Sequence, residues 1–363
     1  MANKIENGTR IQSPSRIINS IAPVRICDLG GWTDTWFAEH GVILNFGVSP
    51  YAEVQIKVYP RDQRENQVTL FAENYGERYG VNVGERPYNR HPLLEATIER
   101  MGIPENIATE ITLFSEAPAG ASIGTSASVT VAMVAALDLL SPGRMTPHEI
   151  AYIAQSIETD MLGLQCGIQD QLCAAYGNIN YIEMFDYPRS SVSPIQLPFH
   201  IWWELNRRLV LIYLGNSHES SKVHEQVIAN LEDAGSECLP LRDLRTTAPR
   251  ARNALFNGDF VTFGQMMCEN TAMQRNLHPA LVSEAAQQII DIAKEHHALG
   301  WKVNGAGGDG GSITLLCGDS TEEKRAMLAA IRSANSAFRD IPVHLTQRGV
   351  YAWEVVPESI KAN

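Results

Sequence analysis

Small residues dominate the stretch Pro118-Ala119-Gly120-Ala121-Ser122-Ile123-Gly124-Thr125-Ser126-Ala127-Ser128, which follows a strand-like run at 111–114 and opens into an apolar helical run at 129–140. Strand, small-residue loop and helix in that order predict an anion cradle. Glycines let the backbone approach a ligand, the first N–H groups of a helix have no internal acceptor, and the dipole adds partial positive charge. The candidate contacts are Gly120, Ala121, Ser122, Gly124, Thr125 and Ser126, and the hydroxyls of Thr125 and Ser126 suit a phosphate oxygen or a magnesium ion. The same composition also serves ordinary caps and tight turns. No GxxxxGK[ST] occurs, so this is not a Walker A loop and its lysine is missing. Positive charge must come from helix N–H groups, magnesium or another residue.

Two further segments share this character. One is Ala22-Pro23-Val24-Arg25-Ile26-Cys27-Asp28-Leu29-Gly30-Gly31-Trp32-Thr33-Asp34, and the other is Asn304-Gly305-Ala306-Gly307-Gly308-Asp309-Gly310-Gly311-Ser312. The second contains a literal GxGxxG. A dinucleotide fold would need a helix after it, whereas 312–317 reads as strand. It is read instead as a loop that closes over phosphates and an acceptor through Gly307 and Gly308. A plain turn is the alternative, opposed by the entropy cost of so many glycines.

The elements that must position these segments are partly legible. Val54, Ile56 and Val58 alternate toward Pro60 as one strand, and 42–48 suggests another before it. A helix is predicted over 91–101. Thr146-Pro147-His148-Glu149 has the cap, the proline and the glutamate of a helix start. In that helix Ile150, Ile153, Ala154 and Ile157 share a face, with Glu158 beside the buried stripe. Gly163 and Gly167 break the run before a short helix opens at Ile168-Gln169-Asp170-Gln171 and stops near Gly177. The prolines and serines of 187–199 mark the boundary between an N-terminal unit, 1–195, and a C-terminal unit, 196–363. Beyond it, a strand at 209–214 and helices at 221–231 and 280–297 are expected. This mixed order predicts an α+β enzyme of two domains rather than a regular βαβ array.

With 363 residues, 44% hydrophobic and 19% charged, the chain reads as an ordinary folded enzyme. The net charge of −12 includes no basic block, which argues against a nucleic-acid partner. The first twenty residues lack the apolar core of a secretory signal, and no apolar run reaches the roughly 18 residues of a membrane span. A soluble cytoplasmic protein with no membrane partner is expected. The cysteines are scattered without CxxC pairs, which predicts reduced thiols and no zinc site. His218 and His224 do not share a helical face, and neither they nor Trp202 and Trp203 are given a role.

The three small-residue segments, in this order, resemble the signature motifs of the GHMP kinases, the superfamily of galactokinase, homoserine kinase, mevalonate kinase and phosphomevalonate kinase. The resemblance extends over about 21–317. It implies a two-domain GHMP kinase fold, with an N-terminal domain related to a ribosomal-protein fold, a ferredoxin-like C-terminal domain and the active site between them. It also implies ATP and Mg2+. Galactokinase-like members carry a metal-binding glutamate upstream of Gly-Ile-x-Asp-Gln, matched here by Gly167-Ile168-Gln169-Asp170-Gln171. By resemblance, Glu158 and Ser126 bind magnesium, Asp170 is the catalytic aspartate and Arg25 stands beside it. Without the family, Glu158 is a solvated helix residue, Asp170 a carboxylate favoured by a helix dipole, and Arg25 a strand-end surface residue.

Gly30, Gly31, Trp32, Thr33 and Asp34 resemble the motif that lines the acceptor pocket. A carboxylate such as Asp34 accepts from sugar hydroxyls, and an aromatic face such as Trp32 covers C–H surface. Galactokinase has Gly-Glu-His-Thr-Asp at this place. The Gly-Gly-Trp-x-Asp form, with His91-Pro92-Leu93-Leu94-Glu95 and Gly215-Asn216-Ser217-His218-Glu219-Ser220-Ser221, is more similar to L-fucose kinases and bacterial heptose-phosphate kinases. Those act on an anomeric hydroxyl. The resemblance therefore implies an ATP- and Mg2+-dependent kinase that makes a sugar 1-phosphate from a monosaccharide or sugar phosphate, as a monomer or a homodimer. The alternatives are a kinase of the mevalonate or homoserine type, a catalytically silent nucleotide-binding sensor of the same fold, and an NAD-dependent oxidoreductase.

Overall fold

The computed structural model describes residues 13–88, 90–142, 144–215, 221–355 and 357, with only the backbone described at 221–222. The polar lead at 1–12 and the 216–220 part of the Gly215–Ser221 segment, His218 included, lie outside the described residues. Strands fall into two sheets, one of eight strands and one of four.

In the larger sheet Arg16–Leu29 pairs antiparallel with Gly41–Pro60, and Tyr351–Val355 covers its other edge. Two strands were expected in the region of Gly41–Pro60, yet it is one strand of 20 residues. It changes partner along its length, with Ala52–Pro60 against Ile107–Ser115 and Gly41–Phe46 against Ile179–Asp186. Gly47 and Pro50 interrupt the alternation where the partner changes, which is why the pattern reads as two pieces. Within the expected boundary segment 187–199, Arg189–Pro194 forms a strand that pairs with Ile179–Asp186.

Four helices, Pro92–Met101, Thr125–Asp138, Pro147–Ser156 and Gln169–Tyr176, contribute to the core under this sheet. Thr125–Asp138 is apolar all round because it is enclosed, with Val131, Ala132, Met133, Val134 and Ala136 fully buried. Both bonds of the expected capping box are present at Thr146 and Glu149. Glu95 accepts from the backbone N–H groups of Arg90 and His91 and from Tyr79 Oη, so 91–95 builds a helix start.

The smaller sheet is antiparallel, ordered Arg339–Ile341, Leu209–Tyr213, Ser312–Leu316, Gly300–Val303. The GxGxxG segment links its last two strands, as expected for a strand after the loop. The helix expected from 280 begins at Glu284, because Pro279–Leu281 is a 3-10 turn and Ser283 supplies the cap. Helices Leu239–Phe256 and Phe260–Leu277 pack between this sheet and the first motif. Among the described residues no helix is long and apolar enough to cross a membrane.

Candidate active site

Arg25 lies where Arg16–Leu29 slips register against Gly41–Pro60, between shifts after Pro23 and after Ile26. Its backbone N–H donates to the Ile123 carbonyl at 2.8 Å, tying the first motif to the small-residue loop. Each nitrogen of its guanidinium has a partner. Nε donates to Asp170 Oδ1 at 2.7 Å and Nη2 lies 2.6 Å from the same oxygen. Nη1 lies 3.3 Å from Asp28 Oδ1 and donates to the Ser122 carbonyl at 3.4 Å. Burial by itself would lower the Arg25 pKa, but the Asp170 and Asp28 carboxylates outweigh it and raise it, so the cation is permanent.

Asp170 occupies the first turn of Gln169–Tyr176. A methyl group at Gly124 would sit 3.2 Å from Asp170 Cγ and Oδ2, which puts the carboxylate against the end of the small-residue loop. Gly124 caps Thr125–Asp138 with φ +70°, a conformation that glycine adopts without strain. The first bond of that helix runs from Ser128 N–H to the Gly124 carbonyl at 3.0 Å, so the N–H groups of Thr125, Ser126 and Ala127 precede it. Thr125 Oγ1 is buried without a partner among the described residues. An orphaned hydroxyl at a helix N-terminus, beside a glycine cradle, fits an oxyanion ligand.

Glu158 falls on a π turn, Ile157–Met161, that follows directly on Pro147–Ser156. The widened turn carries Glu158 to the cavity rather than to solvent. It is 7% exposed and accepts from Gln171 Nε2 at 2.7 Å. Burial pushes its pKa up to about 7, the Gln171 bond acts against this, and the Asp170 charge adds to it. Asp34 Oδ2 accepts from the N–H groups of Ile168 and Gln169, both at 3.1 Å, and Oδ1 from Gln169 Nε2 at 3.3 Å. Burial raises its pKa to about 6, against the pull of the Gln169 N–H. A methyl group at Gly167 would lie 2.0 Å from Asp34 Oδ2, so only glycine allows this contact.

These side chains open on a cavity of about 290 Å³. Of the residues singled out from sequence, Arg25, Trp32, Asp34, Ser126, Glu158 and Asp170 line it. Trp32 has φ +75°, a strained backbone for a bulky residue, and its ring meets the His224 ring edge-on at 5.8 Å. Gly120, Ala121, Ser122, Gly124 and Thr125 of the cradle do not line it, nor do Gly30, Gly31, Thr33, Gly307 and Gly308. Gly30 donates its N–H to Asn270 Oδ1 at 2.7 Å, Thr33 Oγ1 donates to the Gly30 carbonyl, and a methyl group at Gly31 would meet Asp28. Ser312 Oγ donates to the Ala121 carbonyl at 2.6 Å, and a methyl group at Gly311 would lie 2.9 Å from Ser122 Oγ, so the third segment packs on the first turn of the cradle. Gly307 and Gly308 sit against Leu281, where Gly308 N–H donates to the Leu281 carbonyl at 3.0 Å. Neither touches the cavity; Gly305 and Ala306 do. The part of this loop on the cavity wall thus lies two residues upstream of the expected pair. The Gly307 carbonyl instead meets His224 Nε2 at 3.1 Å.

Sequence reasoning missed Asp28 and Lys302. Both are 1% exposed, with Nζ 3.5 Å from Asp28 Oδ1. Lys302 also donates to Gln274 Oε1 at 3.1 Å and to the Val303 carbonyl. Burial lowers its pKa, and Asp28 opposes the shift. Asp28 Oδ1 also accepts from the Gly305 N–H at 3.1 Å. Asp170, Arg25, Asp28 and Lys302 thus form a chain of alternating charge from the cavity into the second sheet. A lysine inside an apolar strand, two residues before a glycine loop, was the available signal.

The model described as GHMP kinases N terminal domain matches residues 91–178, and that described as GHMP kinases C terminal matches 251–337. The chain is similar to D-glycero-alpha-D-manno-heptose 7-phosphate kinase of Campylobacter jejuni, 26% identical over 67% of this chain and 70% of that protein. It is also similar to the bifunctional fucokinase/GDP-fucose pyrophosphorylase of Arabidopsis thaliana, 25% identical over 86% of this chain but only 31% of that longer protein. In fold it resembles the crystal structure described as a D-glycero-D-manno-heptose 1-phosphate kinase from Bacteriodes thetaiotaomicron, with TM-score 0.71 and 22% identity over 93% of this chain and 99% of that one.

Proposed function

The chain belongs to the GHMP kinases, whose N- and C-terminal domains it carries, and from that premise we propose that it transfers the γ-phosphoryl group of ATP to a monosaccharide or sugar phosphate at the anomeric hydroxyl. The observation that carries the proposal is Asp170, held by Arg25 against the end of the Gly120–Ser126 loop and open to the cavity. In the reaction the anomeric oxygen forms a bond to the γ-phosphorus while the bond from that phosphorus to the bridging oxygen breaks, and ADP leaves. The hydroxyl proton passes to an Asp170 carboxylate oxygen. Arg25 fixes that carboxylate and offsets charge on the transferring group. The helix N-terminus at Thr125–Ala127 and the orphaned Thr125 hydroxyl hold phosphate oxygens.

Magnesium suits the remaining donors, since a hard cation takes carboxylate, hydroxyl and nucleotide oxygens and keeps several waters. Glu158 and Ser126, both on the cavity wall, are the residues that would hold it. When bound, it would neutralise phosphate charge. Trp32 and Asp34 serve the acceptor, the first by its apolar face and the second by accepting from hydroxyls and orienting Gln169.

Sugar-kinase relatives support the acceptor class. The test is a coupled ADP assay across hexoses, 6-deoxyhexoses, pentoses, heptose phosphates, mevalonate and homoserine, with phosphorus NMR locating the new ester. Asp170→Asn is expected to lower kcat by about 10²- to 10⁴-fold while leaving ATP binding within a few fold. Full activity in that variant, or a product esterified away from the anomeric carbon, would overturn the corresponding part.

A further inference from the structure

Resting on the kinase reading above, we infer that the acceptor is an uncharged monosaccharide and not a sugar phosphate. Trp32, Trp36, Phe37 and Ile228 contribute apolar wall, and Asp34, Thr35, Gln165, Gln169 and His224 are polar members beside them. Among the described residues Arg25 is the only lysine or arginine that lines the cavity. Each of its nitrogens is already engaged, Nε and Nη2 by Asp170 and Nη1 by Asp28 and the Ser122 carbonyl. Among the described residues, a second phosphate, additional to the one being transferred, would find no free guanidinium fork or ammonium, the groups that recognise phosphate dianions. His224 Nε2 already faces the Gly307 carbonyl.

The charge that is present has the wrong sign for an ester. Asp28, Asp34, Glu158 and Asp170 all line the cavity. Glu158 is assigned to magnesium and Asp28 is matched by Arg25 and Lys302, which leaves Asp34 facing the acceptor. Asp34 is buried and receives only neutral amide donors, from Ile168 and Gln169. A dianion brought beside it is repelled without a screening cation.

Hydrogen-bond chemistry points the same way. Side chains of the cavity wall carry three buried polar atoms without a partner among the described residues: Trp32 Nε1, a donor, and Gln169 Oε1 and Gln171 Oε1, both acceptors. With the Asp34 oxygens, acceptors are in the majority. A sugar hydroxyl donates and accepts and so satisfies both kinds, whereas a phosphate dianion only accepts. The aromatic wall suits the C–H face of a pyranose and leaves a phosphate unsolvated.

The experiment uses the full chain with MgATP and matched acceptor pairs: galactose and galactose 6-phosphate, mannose and mannose 6-phosphate, a manno-heptose and its 7-phosphate. For whichever pair is used, kcat/KM for the uncharged member is expected to exceed that for the ester by about 100-fold or more. Calorimetric binding of the same pairs to Asp170→Asn, which needs no turnover, is expected to show the same order. Equal use of both members, or preference for the ester in either measurement, overturns the inference and leaves the kinase reading intact. Failure of every pair to bind or react, with no ADP released from any acceptor of the wider panel, overturns the kinase reading and the inference together.

Discussion

Removing Lys302 tests whether the buried charges behave as one unit. Lys302→Met keeps most of the volume and deletes the ammonium 3.5 Å from Asp28 Oδ1. Losing one partner of a buried pair costs about 3–5 kcal/mol, because the other charge is left uncompensated. Here Asp28 keeps the Arg25 Nη1 contact at 3.3 Å and the Gly305 N–H at 3.1 Å, and the burial cost of Lys302 itself is removed. The expected loss is therefore at the lower end, about 3 kcal/mol. Asp28→Asn alone leaves the buried cations Arg25 and Lys302 without the carboxylate between them and is expected to cost a similar amount, about 3 kcal/mol. In the double variant one charge of each sign is gone, so the loss is expected to fall short of the sum of the single losses by about 1–3 kcal/mol. Urea unfolding of the four proteins measures this cycle. Kinetics supply a second reading: with Lys302 gone, Arg25 is drawn toward Asp28 and away from Asp170, which lowers kcat more than it raises the KM for ATP. Additive losses in the cycle, or a Lys302→Met protein as stable as the parent, would refute the argument that this chain of charges is coupled.

Three further outcomes follow from the cavity wall. Glu158 ordinarily titrates near 4.5 but is raised to about 7 by burial, so between those values the folded chain holds a proton that the unfolded chain has lost. Stability without metal is therefore expected to fall as pH rises from about 5 to 7, and Glu158→Gln should flatten that slope in urea midpoints taken across the range. Magnesium displaces the same proton, so its affinity in the presence of nucleotide is expected to rise by about tenfold per pH unit below 7 and to lose this dependence in Glu158→Gln. A slope unchanged in the variant would assign the titration elsewhere. Gly167→Ala places a methyl group 2.0 Å from Asp34 Oδ2. Overpacking of this kind costs about 1–3 kcal/mol, and the displaced carboxylate is expected to raise the acceptor KM more than the KM for ATP. Equal effects on both constants would separate Asp34 from the acceptor.

Much of this arrangement is legible in the chain itself. Strand, small-residue loop and apolar helix at 107–138, the capping box at Thr146, and a strand rather than a helix after the GxGxxG are local properties of backbone freedom, capping chemistry and side-chain period. Those properties act over a few residues, so a sequence states them directly. Other features are not local. Lys302 meets Asp28 only because Gly300–Val303 joins the second sheet while Arg16–Leu29 bulges in the first, and neither strand seen alone shows which partner its buried charge will meet. Glu158 faces the cavity because its helix widens by one π turn, which periodicity does not encode. Gly307 and Gly308 sit against Leu281 of the 3-10 turn Pro279–Leu281 and off the cavity wall, a contact whose pattern in sequence gives no address. Residue types and their spacing thus determined which groups this protein brings to a phosphate. Sheet register and helix docking decided which of them meet, because burial energy is set by whichever surface closes over a charge, and that surface comes from distant parts of the chain.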